Sequence, residues 1–133
     1  MKLSISALLL VALGGAIGAV CRYVVTLVMT RQFGDGFPWG TLTVNVVGAL
    51  IIGMAFVWID RSALSDSQRL LLVVGMLGAL TTFSTFALDA YQLYQSGRVS
   101  VAAIYVLTSN TLALGAVCFG VWIAKAMATD SAG

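Results

Sequence analysis

The chain has 133 residues, 60% hydrophobic and 9% charged, with a net charge of +2. Soluble domains carry roughly 25% charged residues, so this composition excludes a soluble globular domain and points to an integral membrane protein lying almost wholly in the bilayer. The small net charge gives no basis for nucleic-acid binding. Histidine is absent and the five acids are scattered, which argues against zinc and other transition-metal sites.

The first apolar segment runs from about Ser4 to Thr30, interrupted by Arg22. Its start, Met-Lys followed by Leu3 to Val20, resembles a secretory leader, and Cys21 sits where a lipoprotein would be cleaved. The residue before that cysteine should be small, Val20 fits badly, and the run is long enough to span, so it reads as a retained first helix. Gly14 and Gly18 form a GxxxG pair that lets another helix approach closely, as within-subunit packing or at a dimer interface. Residues 31–40 hold Gly34, Asp35, Gly36 and Pro38 and read as a turn. A second helix is expected over about 41–59, where Thr41 and Asn45 are four apart and share a face.

Residues 60–69 form the most polar stretch, with Ser65 and Gln68 spaced as a capping box. The third segment, about 70–95, carries no charge from Leu70 to Leu88, yet its middle reads Thr81-Thr82-Phe83-Ser84-Thr85-Phe86. Hydroxyl side chains compete for backbone hydrogen bonds and loosen a helix. Non-helical backbone at membrane depth persists only where protein covers it or it lines a wet cavity. The third helix is therefore expected to break mid-membrane, beside something polar. After the tight connection Ser96-Gly97-Arg98, a fourth helix is expected over about 99–124. It brings Tyr105 and Ser109 onto one face, with Thr108, Asn110 and Thr111 nearby. Cys21 and Cys118 fall within apolar runs and read as buried small hydrophobes, with no basis for a disulfide or a thiol enzyme.

Four spans place both termini on one side. Lys2, Arg61, Arg69 and Lys125 fall on that side; Arg31, Arg98 and Arg22 fall toward the other. This near balance gives the positive-inside rule no purchase. It is equally compatible with a weak orientation signal and with a chain that inserts both ways and pairs with an inverted copy of itself.

The polar groups within the spans are neutral donors interleaved with aromatic rings. That inventory suits a small, strongly hydrated anion, which must exchange water for donors of similar strength. Ring edges are positive and face an anion favourably, while a fixed cation on the path would hold the ion too tightly for release. A broken helix also exposes carbonyls, which with threonine oxygens coordinate Na⁺ or K⁺. Residue chemistry alone serves a cation site and an anion site equally well. Arg22 can snorkel to an interface or draw anions to a pore mouth, and Asp89 can pair with an arginine or face an aqueous vestibule.

Gly14-Gly15-Ala16-Ile17-Gly18-Ala19, Arg22-Tyr23, Gly40-Thr41-Leu42-Thr43-Val44-Asn45 and Gly78-Ala79-Leu80-Thr81-Thr82-Phe83-Ser84-Thr85-Phe86 closely resemble the Fluc fluoride channels, also called CrcB. The resemblance covers all four segments in order. It implies an all-α, multi-pass plasma-membrane protein: a dual-topology, antiparallel homodimer of four-helix subunits with two fluoride pathways that export cytoplasmic fluoride passively. By position, Phe83 and Phe86 match the phenylalanines facing fluoride, Asn45 the pore asparagine, and Thr41, Tyr105 and Ser109 further polar-track positions. Ser84 and Thr85 fall in the family's helix break and line the fluoride track. Gly78 and Thr81 match residues whose carbonyls hold a central structural Na⁺, and Arg22 an arginine near the vestibule. Ala79 and Asp89 depart from the family's frequent Gly and Glu.

The competing reading is a small dual-topology, proton-coupled multidrug exporter, which needs a titratable carboxylate deep in its first helix; Ser4 to Cys21 contains none. A non-transporting assembly subunit is a third possibility. An enzyme is disfavoured, because no nucleophile–base pair is visible.

Overall fold

The computed structural model describes residues 4–61 and 63–130. Among the described residues the chain is helical and contains no strand. Helix α1 (Ile5–Phe33) is capped by Ser4, whose Oγ accepts from the Ala7 N–H at 3.1 Å, and it ends at Gly34 with φ of 77°. Helix α2 (Trp39–Asp60) follows Pro38. The short α3 (Asp66–Gln68) opens on a capping box: Gln68 N–H donates to Ser65 Oγ, and Ser65 N–H donates to Gln68 Oε1. It runs into a π-helix (Arg69–Leu77) and then α4 (Gly78–Leu80). Helix α5 (Phe83–Gln95) and α6 (Val99–Asp130) complete the chain, with Gly97 at φ of 78° in the connection. Among the described residues, four stretches are long and apolar enough to cross a membrane: Ile5–Phe33, Trp39–Asp60, Asp66–Gln95 and Val99–Ala128. They are the four segments read from sequence, each extended by a few residues. Lys2 lies outside the described residues.

Helix α2 packs along α6, and α1 packs along the π-helix. Small residues set both contacts. Gly14 and Gly18 are buried on α1, where a side chain would overlap the Leu71 and Met76 carbonyl oxygens, so the GxxxG pair serves packing within the chain. Gly53 and Gly120 do the same between α2 and α6, against the Val117 and Leu50 carbonyls. The π-helix, a rare i→i+5 geometry, carries Gly75 in this seam, with Gly14 Cα 3.0 Å from where a Cβ would stand.

The tightest apolar core is small. Leu42, Leu93, Ala102 and Tyr105 are buried together, with Phe37 and Phe86 packed against them. Most other large apolar side chains point outward, including Leu9, Val20, Phe56, Leu107, Leu114 and Trp122, the surface a protein solvated by lipid presents. Cys21 and Cys118 lie on this exposed surface. The expectation that they are buried is corrected: each sits in an apolar run but on an outward face of its helix.

A Gly120→Ala substitution places a methyl against the Leu50 carbonyl and should cost about 1–3 kcal/mol through overpacking, read as a lower thermal midpoint of the detergent-solubilised protein. Gly36→Ala, with open space around it, should leave the midpoint unchanged.

Candidate ion-binding cleft

Backbone conformation builds the site. After α4 the chain leaves helical space at Thr81 (φ −80°, ψ 156°) and Thr82 (φ −154°, ψ 123°), then re-enters it at Phe83. Thr82 caps the new helix: its Oγ1 accepts the Thr85 N–H at 3.2 Å. A continuous helix would direct the Thr82 N–H to the Gly78 carbonyl and the Thr85 N–H to the Thr81 carbonyl. The first donates instead to Asn45 Oδ1 at 2.8 Å and the second to Thr82 Oγ1, so both carbonyls lose their helical donors. Asn45 Nδ2 in turn donates to the Thr82 carbonyl at 3.0 Å. The Asn45 carboxamide thus grips both polar groups of one peptide residue and keeps one N–H over, since an amide nitrogen carries two.

Around this turn lies a cleft of about 440 Å³, lined among others by Asn45, Gly78, Thr81, Phe83, Phe86 and Ser109. Phe83 and Phe86 tilt against each other with ring centroids 5.6 Å apart. Phe83 is 78% exposed, whereas Phe86 is half-buried and leans on Tyr105 at 5.3 Å. Ser109 is buried, and its Oγ has no hydrogen-bond partner. An unmet buried hydroxyl is costly, which makes Ser109 a candidate contact for a polar guest. Asn110, also on the cleft wall, donates to the Val106 carbonyl at 2.7 Å, the helix's own i−4 acceptor.

The other sequence candidates lie elsewhere. Thr41 and Thr85 border a second, more polar cleft of about 340 Å³, with Asp89, Gln92, Ser96 and Arg98. There Asp89 Oδ2 accepts from Thr41 Oγ1 at 2.7 Å and from the Tyr105 hydroxyl at 3.3 Å. Tyr105 is wholly buried, its ring edge-on to Phe37 at a centroid distance of 5.4 Å. Each hydroxyl carries a single proton, so Thr41 and Tyr105 have directed theirs to Asp89 and face other partners only as acceptors. Asp89, read from sequence as either pairing with an arginine or facing a vestibule, is held by this hydroxyl pair and borders the second cleft. Ser84, exposed, lies 3.3 Å from Thr82 Oγ1, and Thr82 Oγ1 also donates to Thr85 Oγ1 at 3.1 Å, so a hydroxyl chain runs from the first cleft toward the second. Arg22, partly exposed on α1, borders neither cleft; Arg98 borders the second.

Sequence reasoning missed Thr82 as the hub of this arrangement and Gly48 beneath it. Thr82 stood inside the hydroxyl string, but nothing in a string says which hydroxyl turns inward as the cap. Gly48 lies three residues after Asn45 and so on the same helix face; a glycine there reads as a place of close approach, without saying that Thr81 is what approaches.

Replacing Asp89 with Leu removes the acceptor of two hydroxyls and should destabilise the protein by about 1–3 kcal/mol. Asp89→Asn keeps an acceptor oxygen and should cost less. Thermal unfolding in detergent measures both, and an Asp89→Leu variant as stable as the parent would contradict the assignment.

The model of the CrcB-like protein family (camphor resistance, CrcB) matches residues 9–121. Among curated relatives, a protein of Rhizobium etli (strain CIAT 652) is 47% identical over 120 residues, spanning 90% of this chain and 96% of its own length. One from Hahella chejuensis is 44% identical over 124 residues, spanning 92% and 98%. One from Agrobacterium fabrum is 44% identical over 117 residues, spanning 87% and 94%. All three are named fluoride-specific ion channel FluC. With a family model over most of its length and relatives of this identity matched nearly end to end, the chain belongs to the CrcB family.

Proposed function

We propose that the protein is a fluoride-selective channel, a multi-pass protein of the plasma membrane through which fluoride leaves the cell passively. The observation that carries this reading is the cleft where the Phe83–Phe86 pair, the spare Asn45 N–H and the orphan Ser109 hydroxyl meet, in a chain closely similar to proteins named for fluoride conduction. Fluoride gives up water only for donors of comparable strength. Ser109 offers a buried O–H, Asn45 a second N–H, and the rings their positive edges. Neither lysine nor arginine lines this cleft, so an ion held there can also leave. The second cleft, with Arg98 and the Thr85 hydroxyl, serves as the vestibule.

The cleft is open, and the exposed Phe83 forms only part of a wall. An inverted second copy of the chain would close it, giving an antiparallel, dual-topology homodimer with two pathways. The near-equal count of basic residues on the two sides is compatible with this arrangement. The extended pair Thr81–Thr82 then lies mid-membrane as a break in the third span. The carbonyls of Gly78 and Thr81, each without its helical donor and belonging to residues that line the cleft, are neutral oxygens of the kind that suits an alkali cation. A central structural Na⁺ held by Gly78 and Thr81 would supply a fixed positive charge that braces the two copies. The proton-coupled exporter is less well supported: Asp89, the one carboxylate in residues 70–95, is occupied by Thr41 and Tyr105.

Protein reconstituted into liposomes loaded with fluoride or chloride should release fluoride, read with an ion-selective electrode, and retain chloride. Phe83→Ile should slow release while leaving the dimer intact by cross-linking. Ser109→Ala should slow it about tenfold, as expected for loss of one hydrogen bond to a charged group. Correctly assembled protein that releases no fluoride would overturn the proposal.

A further inference from the structure

We infer that Asn45 and Gly48, one turn apart on α2, are positioning residues that hold the third span out of helical form at Thr81–Thr82. The inference rests on the fluoride-channel reading only for its transport readout. A residue entering a membrane helix has one low-energy partner for its N–H, the carbonyl four residues earlier, because no water competes. At Thr82 that partner is the Gly78 carbonyl, and nothing in the Thr81-Thr82 side chains forbids the bond: threonine is a modest helix former, not a breaker. The hydroxyls loosen the helix here but leave a continuous helix accessible. What diverts the Thr82 N–H is Asn45 Oδ1 at 2.8 Å, while Asn45 Nδ2 holds the adjoining carbonyl at 3.0 Å. The two bonds fix the orientation of Thr82 from outside its own segment, with φ of −154°.

Gly48 provides the matching space. A Cβ there would collide with Thr81 Cγ2, so the extended turn seats its threonine methyl directly on bare α2 backbone. Thr81 Oγ1 donates to the Leu77 carbonyl at 3.0 Å, which keeps that methyl turned toward α2. One residue of α2 therefore grips the turn, and the residue three further on receives it. The same two residues border the cleft, so the geometry of Phe83 and Ser109 around a guest depends on them, apart from the N–H that Asn45 also offers the ion.

The test uses the full-length protein with ¹³C,¹⁵N-labelled threonine in detergent micelles, where Cα and Cβ shifts separate extended from helical backbone at Thr81 and Thr82. The parent should show extended shifts at both. Asn45→Leu removes both hydrogen bonds at similar volume; Thr82 should move to helical shifts, and fluoride efflux should fall about 10–100-fold, the range expected when groups are misplaced by about 1 Å. Asn45→Asp keeps the acceptor for the Thr82 N–H and should retain the extended shifts. Gly48→Ala should disturb Thr81 first. If Asn45→Leu does not assemble, Asn45→Ala removes the same bonds without added bulk. Extended shifts that persist at Thr82 in Asn45→Leu or Asn45→Ala overturn the inference. A parent that shows the shift pattern but no fluoride flux overturns the channel reading and leaves the clamp standing.

Discussion

Two hydrogen bonds between the Asn45 carboxamide and the backbone of Thr82, one donated and one accepted, join α2 to the turn between α4 and α5, and the polar interior is arranged around them. An N–H left without a partner in an apolar interior costs about 1–3 kcal/mol, so a turn at this position needs an outside acceptor. Asn45 supplies it. With Thr82 held, its hydroxyl caps α5, and α5 then presents Phe83 and Phe86 to the first cleft and Asp89 to Thr41 and Tyr105. A shift of Thr82 would move all of these together.

The apolar scaffold makes that arrangement possible by bringing backbones close. Glycines seat α1 on the π-helix and α2 on α6. These seams use little side-chain volume, which leaves room for a cleft beside Ser109 while the outward faces stay apolar. In lipid there is no hydrophobic drive between helices, so close backbone contact and hydrogen bonding carry association. Both are present here, the first at Gly14, Gly18, Gly53 and Gly120, the second at Asn45 and Asp89.

Much of this was legible in the residues. Hydropathy located the four spans, the Ser65–Gln68 spacing gave the capping box, and the hydroxyl string marked where helical geometry would be weakest. What sequence could not assign was direction. Thr41 and Tyr105 read as donors for an ion, because a string does not reveal that one carboxylate takes both their protons. Asn45 read as an ion donor alone, because its grip on Thr82 depends on the register between α2 and the third span, a tertiary fact. Cys21 and Cys118 read as buried because an apolar run looks the same whether it faces protein or lipid. Residue chemistry left cation and anion open, and membership of the CrcB family, with relatives named for fluoride, is what favours the anion.

The most direct measurement is electrical recording of the reconstituted protein in a planar bilayer under opposing fluoride and chloride gradients with a superimposed pH gradient. A fluoride-selective channel predicts a current that reverses at the fluoride equilibrium potential and ignores the pH gradient. A reversal potential that follows chloride, or one that moves with pH as proton coupling requires, would contradict the account.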